Sequence, residues 1–222
     1  MSALPIQPAL LTLWGAVLLV SSLSGRLDLL LHGAFHGLVA VAGAVLLVLA
    51  LLLLRQRRAL PAGRPPLPWL LAGLVAVAVL LLPPDPSFTV LASSRPPGLP
   101  DPPRLAFILP PEQRSLSEWV RLLRSQPDPA LYAGQPVRIS GFVLPMPDGP
   151  PQLARLQVRC CLADATPMGL AVVWPRDVRP RPNQWLAIEG RMGTASVGGE
   201  TTSVVLPRRI RPIPRPRRPL EP

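Results

Sequence analysis

Cys160 and Cys161 stand side by side in Arg159-Cys160-Cys161-Leu162-Ala163-Asp164-Ala165-Thr166-Pro167, and they are the only cysteines in 222 residues. A carboxylate, Asp164, follows within the same short stretch. Thiolates suit Zn²⁺ or Cu⁺, and a carboxylate is compatible with Zn²⁺. Three such donors leave one coordination position open for exchange or transfer. Adjacent residues of an extended strand point to opposite faces, so both thiols reach one ion only if the backbone bends. Ala163 to Pro167 permits such a bend. The same residues admit two other chemistries. One is a disulfide between neighbours, strained but compatible with an oxidising compartment. The other is a pair of buried thiols, with Asp164 making a turn hydrogen bond. The ion expected at Cys160, Cys161 and Asp164 is Zn²⁺ or another thiophilic metal; no organic cofactor is indicated.

His32 and His36 lie four apart and would share one helix face. That spacing can hold a metal, but a membrane-interface pair facing a partner is the better-supported reading, because histidine is tolerated near the end of a span. The sequence carries no nucleophile triad, carboxylate dyad or Gly-rich phosphate loop, so no enzymatic activity is expected. The net charge of +11 is carried by arginine alone, with no lysine. Such a balance serves nucleic acid, acidic lipid or plain solubility. Single-strand binders stack bases on aromatic side chains, and the chain has few of these, so nucleic acid is not expected as a partner.

The elements that must position these residues fall into two halves that divide near Pro83. Residues 1–83 are mostly Leu, Val, Ala and Gly, and they predict three membrane spans at about 8–24, 27–54 and 67–83. The second is the strongest, since nothing from Gly37 to Leu54 is charged. Gly33, Gly37 and Gly43 would allow close helix approach. Arg55, Arg57, Arg58 and Arg64 separate the second and third spans, and the positive-inside rule makes that loop cytoplasmic. The N-terminus is then cytoplasmic too, and everything after Pro83 is extracytoplasmic. The expected location is the plasma (inner) membrane, multi-pass.

Residues 84–113 read as a Pro-rich linker, because repeated proline removes backbone donors and favours extended chain. Ser115-Leu116-Ser117-Glu118 fits a capping box that opens a short helix to about Ser125. Strand-like runs follow from Val137, Gln152, Gly169, Gln184 and Ser203, with turn chemistry at Asp148-Gly149, Pro180 to Asn183 and Gly198-Gly199. One short helix and about five strands predict a small all-β, OB-like barrel over 114–211, with a β-sandwich as the alternative. Trp119, Trp174 and Trp185 are expected in its core. Residues 212–222, basic and Pro-rich, predict a disordered tail.

The segments SLSEW, LYAGQPVRISGFV, RCCLADATPMGLAVVW and QWLAIEGRM, after three apolar spans, resemble the uncharacterised YcgQ-like permease-subunit family. The resemblance rests on Gly134-Gln135, Gly141-Phe142-Val143, Cys160 to Pro167 and Trp185 to Gly190, with His32 near the outer end of the second span. The Cys160 to Pro167 element is its most specific part. It implies a small subunit paired with a larger multi-span permease subunit. The Arg/Pro tail departs from the family pattern. The functional expectation is an accessory membrane subunit of a two-component permease complex, whose extracytoplasmic domain binds a metal ion or solute. The alternative is a membrane-tethered thiol- or metal-handling factor without transport. Three spans are few for a self-sufficient transporter, so a partner or a homo-oligomer is expected. The solute is not written in the sequence.

Overall fold

The computed structural model describes residues 6–56, 67–82, 85–95, 109–147, 149–197 and 200–221. The chain forms two compact units, Met1–Asp85 and Pro86–Pro222.

The first unit is helical. Its first helix, α1 (Ile6–Leu23), stops at Gly25, whose φ of 73° is a left-handed conformation that costs a glycine nothing. Short 3-10 turns follow at Arg26–Leu29 and Gly33–Phe35, and α2 (His36–Arg55) then returns along α1. The helix is therefore shorter at its start than the expected span of 27–54. The third helix, α3 (Leu67–Leu81), is also apolar. The Arg26 guanidinium donates to the carbonyls of Val79 and Leu80, both at 3.0 Å. It thereby satisfies the last turn of α3, whose carbonyls have no partner within the helix. Gly15 and Gly43 set the α1–α2 approach. A Cβ on Gly43 would lie 3.1 Å from the Gly15 carbonyl oxygen, and one on Gly15 would lie 2.8 Å from Leu47. Among the described residues, no atom beyond the local chain lies within 4 Å of a Cβ on Gly33 or Gly37.

Among the described residues, two segments are long and apolar enough to cross a membrane, Ile6–Leu23 and Gly33–Arg55. The third apolar helix has 15 residues, about 22 Å against a hydrocarbon core of about 30 Å. The outward faces of α2 and α3 are Leu and Val, among them Leu38, Val41, Val48, Leu70 and Leu74, each more than half exposed. Arg57, Arg58 and Arg64, which would orient the spans, lie outside the described residues.

The second unit is built on a mostly antiparallel sheet preceded by a helix. That helix, α5 (Leu116–Ser125), opens with the expected capping box: the Ser115 hydroxyl accepts from Glu118 N, and Glu118 Oε2 accepts from Ser115 N. The strands are β1 (Pro136–Met146), β2 (Gly149–Gln157), β3 (Thr166–Ala171), β4 (Trp185–Val197), β5 (Glu200–Pro212) and β6 (Leu220–Glu221). The order is β3-β2-β1-β4-β5, with β6 added parallel to the end of β2. Alternation puts Val137, Ile139, Val143, Leu153, Met168, Leu170, Ile188, Met192 and Val205 on one face, where Leu116, Trp119 and Leu122 of α5 cover them. The expected turns at Asp148-Gly149 and Gly198-Gly199 include positions outside the described residues. A parallel bridge, Val172 to Val205, joins the two edge strands. No continuous ladder closes a barrel among the described residues, so the sheet is antiparallel and curled rather than shown to be closed.

Two segments depart from expectation. Within the expected linker, α4 (Phe88–Ser93) is capped by Ser87 and docks on the domain. Phe88 is fully buried against Phe142 and Trp185, with ring centroids 5.7 and 5.5 Å away. Burying a Phe contributes roughly 1.5–3 kcal/mol, enough to hold one helical turn in place. The tail expected to be disordered is ordered over its described residues. Strand β5 runs to Pro212, Ile213 N donates to the Trp185 carbonyl, and β6 pairs with β2. The cause is Arg155. Its buried guanidinium binds Ser140 O at 2.8 Å, Ser140 Oγ at 2.9 Å and Pro219 O at 3.1 Å, and lies 3.4 Å from Glu221 Oε1. Burial lowers the Arg155 pKa, and Glu221 opposes that shift. The Glu221 carboxylate also accepts from Ser117 N in the first turn of α5, where a negative charge is favoured. Prolines in this tail remove backbone donors, and its order comes instead from the β6 pairing and from the contacts of Arg155 and Glu221.

Candidate metal centre

Strand β2 ends at Gln157, so the strand-like run from Gln152 gives way to a loop at Val158, ahead of the cysteines. A 3-10 turn, Leu162–Asp164, brings Asp164 back beneath the cysteines. Its carboxylate organises the loop. Oδ1 accepts from Arg159 N at 2.9 Å, and Oδ2 accepts from Cys160 N at 2.8 Å and from Cys161 N at 3.4 Å. Three successive amides thus converge on one side chain. This is the bend that the two thiols require.

With the backbone turned, the sulfurs converge. Cys160 Sγ lies 3.6 Å from Cys161 Sγ and donates to Asp164 Oδ2 at 2.9 Å. Both cysteines are free thiols. The two sulfurs and the carboxylate lie within 4.8 Å of one another, and no other group of three metal-ligand side chains occurs among the described residues. Two sulfurs bound about 2.3 Å from one tetrahedral zinc would stand about 3.8 Å apart, close to the separation found.

The electrostatics of the loop favour a protonated Cys160 before any ion arrives. The thiol's hydrogen bond to Asp164, with Cys161 adding to it, pushes its pKa up to about 12. Partial burial works against ionising Asp164, but the Cys160 thiol and the amides of Arg159, Cys160 and Cys161 together hold it down to about 2. A cation must therefore displace the thiol proton that Asp164 now accepts. Asp164 Oδ2 already takes three donors, whereas Oδ1 takes one and keeps a lone pair for an ion.

Arg95, just past α4, was not singled out by any sequence motif. Its Nη2 donates to Leu162 O at 3.0 Å and its Nη1 donates to Ala163 O, so the guanidinium grips the turn that carries Asp164. An arginine inside SSRPPGLP gives no local signal of this role, because its partners lie 67 and 68 residues away.

The histidine pair is not brought together on a helix face. His32 precedes a 3-10 turn in an extended conformation, and its Nδ1 accepts from Ala34 N. His36 begins α2, with Nδ1 3.9 Å from Asp28 Oδ1 and Nε2 3.4 Å from Leu31 O. The helix that would align them starts only at His36. Of the expected core tryptophans, Trp119 and Trp185 are buried, while Trp174 is half-buried and donates to Pro151 O at 2.7 Å.

Comparison with curated proteins and with solved structures finds no match to this chain. Residues 112–220 match the family model of the DUF1980 C-terminal domain, a family of uncharacterised proteins, so α5, strands β1 to β5, the Cys160–Asp164 loop and the tail as far as Leu220 fall within one matched domain that the YcgQ-like resemblance also fits.

Proposed function

We propose that this protein is a membrane-embedded accessory subunit whose OB-like domain, on the extracytoplasmic side, binds a thiophilic cation at Cys160, Cys161 and Asp164, with Zn²⁺ the first choice. One observation carries the reading: a carboxylate that collects three consecutive amides turns two neighbouring thiols toward one point, 3.6 Å apart. Two apolar helices of crossing length, with Leu and Val facing outward, support the membrane part, and α3 supplies a third, thinner span. The strand order and the Val172–Val205 bridge support the OB-like barrel. Two cysteines and one carboxylate leave a coordination position for a ligand passed to or from a partner, which suits a subunit serving a larger permease.

The full-length protein, purified in mild detergent under reducing conditions, is expected to retain about one zinc per chain and to release protons on loading. Cys160→Ser should abolish retention and Asp164→Asn should weaken it. No metal in the wild-type chain, with both thiols titratable, would refute the site. Loss of a co-purifying multi-span partner, with metal retained, would leave the second reading, a membrane-tethered thiol- or metal-handling factor. The contact between the two sulfurs favours that reading as well.

A further inference from the structure

The exposed face of β1, β4 and β5 carries a compact arginine surface. Cross-strand register places Arg138 opposite Glu189 and Glu189 opposite Arg209, with Arg191 one rung further on β4 and Arg211 opposite Ala187. The irregularity between Glu189 and Gly190 inserts Arg208 into the same cleft. All five arginines are exposed. Glu189 takes Arg211 at 3.3 Å and Arg138 at 3.9 Å, and Glu112 lies at the rim, so the face keeps a net positive charge. Opposite charges face each other across the strands at Glu189, so the sheet tolerates the cluster, and its surplus of arginine is complementary to an anionic partner.

We infer that this arginine face docks the domain on acidic phospholipid headgroups. The inference rests on the membrane reading above. The chain separating the end of α3 at Leu81 from the start of α4 at Phe88 is residues 82–87, a tether of at most about 20 Å when fully extended. So short a tether bounds only the distance from the end of α3 to the start of α4, and so keeps the second unit beside any bilayer that holds α3. An arginine cluster beside a membrane anchor is attracted to whichever leaflet it faces when that leaflet carries anionic lipid, through a surface potential that decays within a Debye length. Aromatic side chains for stacking bases are absent from the named residues of this face, which argues against a single-stranded nucleic acid.

The test uses the full chain in lipid nanodiscs, carrying Cys160→Ser, Cys161→Ser and a dye on Thr194→Cys, with energy transfer read to a headgroup-labelled lipid. Transfer should be about twofold higher in discs with about 30 % phosphatidylglycerol than in pure phosphatidylcholine. It should fall to the neutral-lipid value in about 0.5 M salt. The triple variant Arg138→Gln, Arg191→Gln, Arg209→Gln should stay at that value in both lipids, with an unchanged melting temperature. Equal transfer in the two lipids, or a phosphatidylglycerol effect that the triple variant keeps, overturns the inference. So does an acidic protein or nucleic acid that the triple variant releases while transfer ignores lipid composition. A chain that stays soluble without detergent and does not enter the discs overturns the membrane reading itself, and is thereby told apart from failure of the arginine face alone.

Discussion

Two loops of this molecule gather metal-ligand side chains, and they spend their polar atoms differently. Around His36 the donors serve the local chain: His32 accepts from Ala34 N, and the two nitrogens of His36 face Leu31 O and Asp28. Around Asp164 the backbone does that work instead, since three amides fold onto one carboxylate and the thiols are left at its edge. A ring nitrogen already engaged by its own turn must give up that partner before it can bind an ion. A thiol held beside a carboxylate costs only a proton. The difference is why the proposed site lies in the Cys160 loop, while the His36 loop serves as a helix start.

The largest expected effect tests what keeps the second unit rigid around its loop. Arg155→Met removes the cation from a pair that fixes the tail and leaves Glu221 unpaired, an outcome that costs about 3 kcal/mol. Thermal unfolding of the full chain in detergent, followed by tryptophan fluorescence, should show the loss. A change below about 1 kcal/mol would mean that the tail contributes nothing to the fold. The helical unit offers the counterpart. Gly43→Leu drives a side chain into Leu18, Leu19 and the Gly15 carbonyl, and should destabilise the α1–α2 pair by about 2 kcal/mol. Gly37→Leu meets open space and should leave the same helical melt unchanged. If Gly37→Leu also disrupts binding of a co-purifying partner, the partner surface is located.

How much of this was legible in the sequence depends on the range over which each feature is decided. The capping box at Ser115 and Glu118, and the alternation of Val137, Ile139 and Val143, are local patterns, and the structure reproduces both. The two ligand sets fell at element boundaries, where spacing rules fail in opposite directions. Four-residue spacing joins His32 and His36 only inside a helix, and the helix begins at His36. Neighbouring cysteines diverge only inside a strand, and the strand has ended at Gln157. The α4 segment and the tail were hidden by their prolines. Their order comes from Phe88 meeting Trp185 and from Arg155 meeting Glu221, contacts that no local window contains.

A smaller effect separates the two roles of Asp164. It accepts the Cys160 proton and so keeps that thiol's pKa up at about 12, far above its ordinary value. Asp164→Asn removes the negative charge, the thiol pKa should fall, and a one-unit fall would raise the thiolate fraction about tenfold at neutral pH. Alkylation of Cys160 by an impermeant reagent should therefore be slow in the wild type and faster in the variant. The sign for stability runs the other way. Asp164 is held down to about 2, so its contribution to the loop is complete above about pH 4 and is lost as pH falls toward 2. Alkylation that is slower in Asp164→Asn would show the carboxylate to be only a turn former.

The smallest expected effect asks whether the segment after α4 tunes the site from a distance. Arg95 touches neither thiol; it binds the carbonyls of Leu162 and Ala163, and through them holds the turn that presents Asp164. Arg95→Gln keeps one donor and loses the fork, so the loop should survive with greater freedom. An exposed or half-exposed hydrogen bond of this kind contributes about 1 kcal/mol, which corresponds to roughly a fivefold loss in zinc affinity. Competition against a chromophoric chelator, on full-length protein in detergent, would measure it. Arg95→Lys should recover only part of the loss, because one ammonium reaches two diverging carbonyls less well than a planar guanidinium. His36→Ala in the same assay should leave affinity unchanged, since its ring belongs to the other loop. If His36→Ala weakens zinc binding as much as Arg95→Gln does, then the histidine loop shares the ion and the contrast between the two loops is lost.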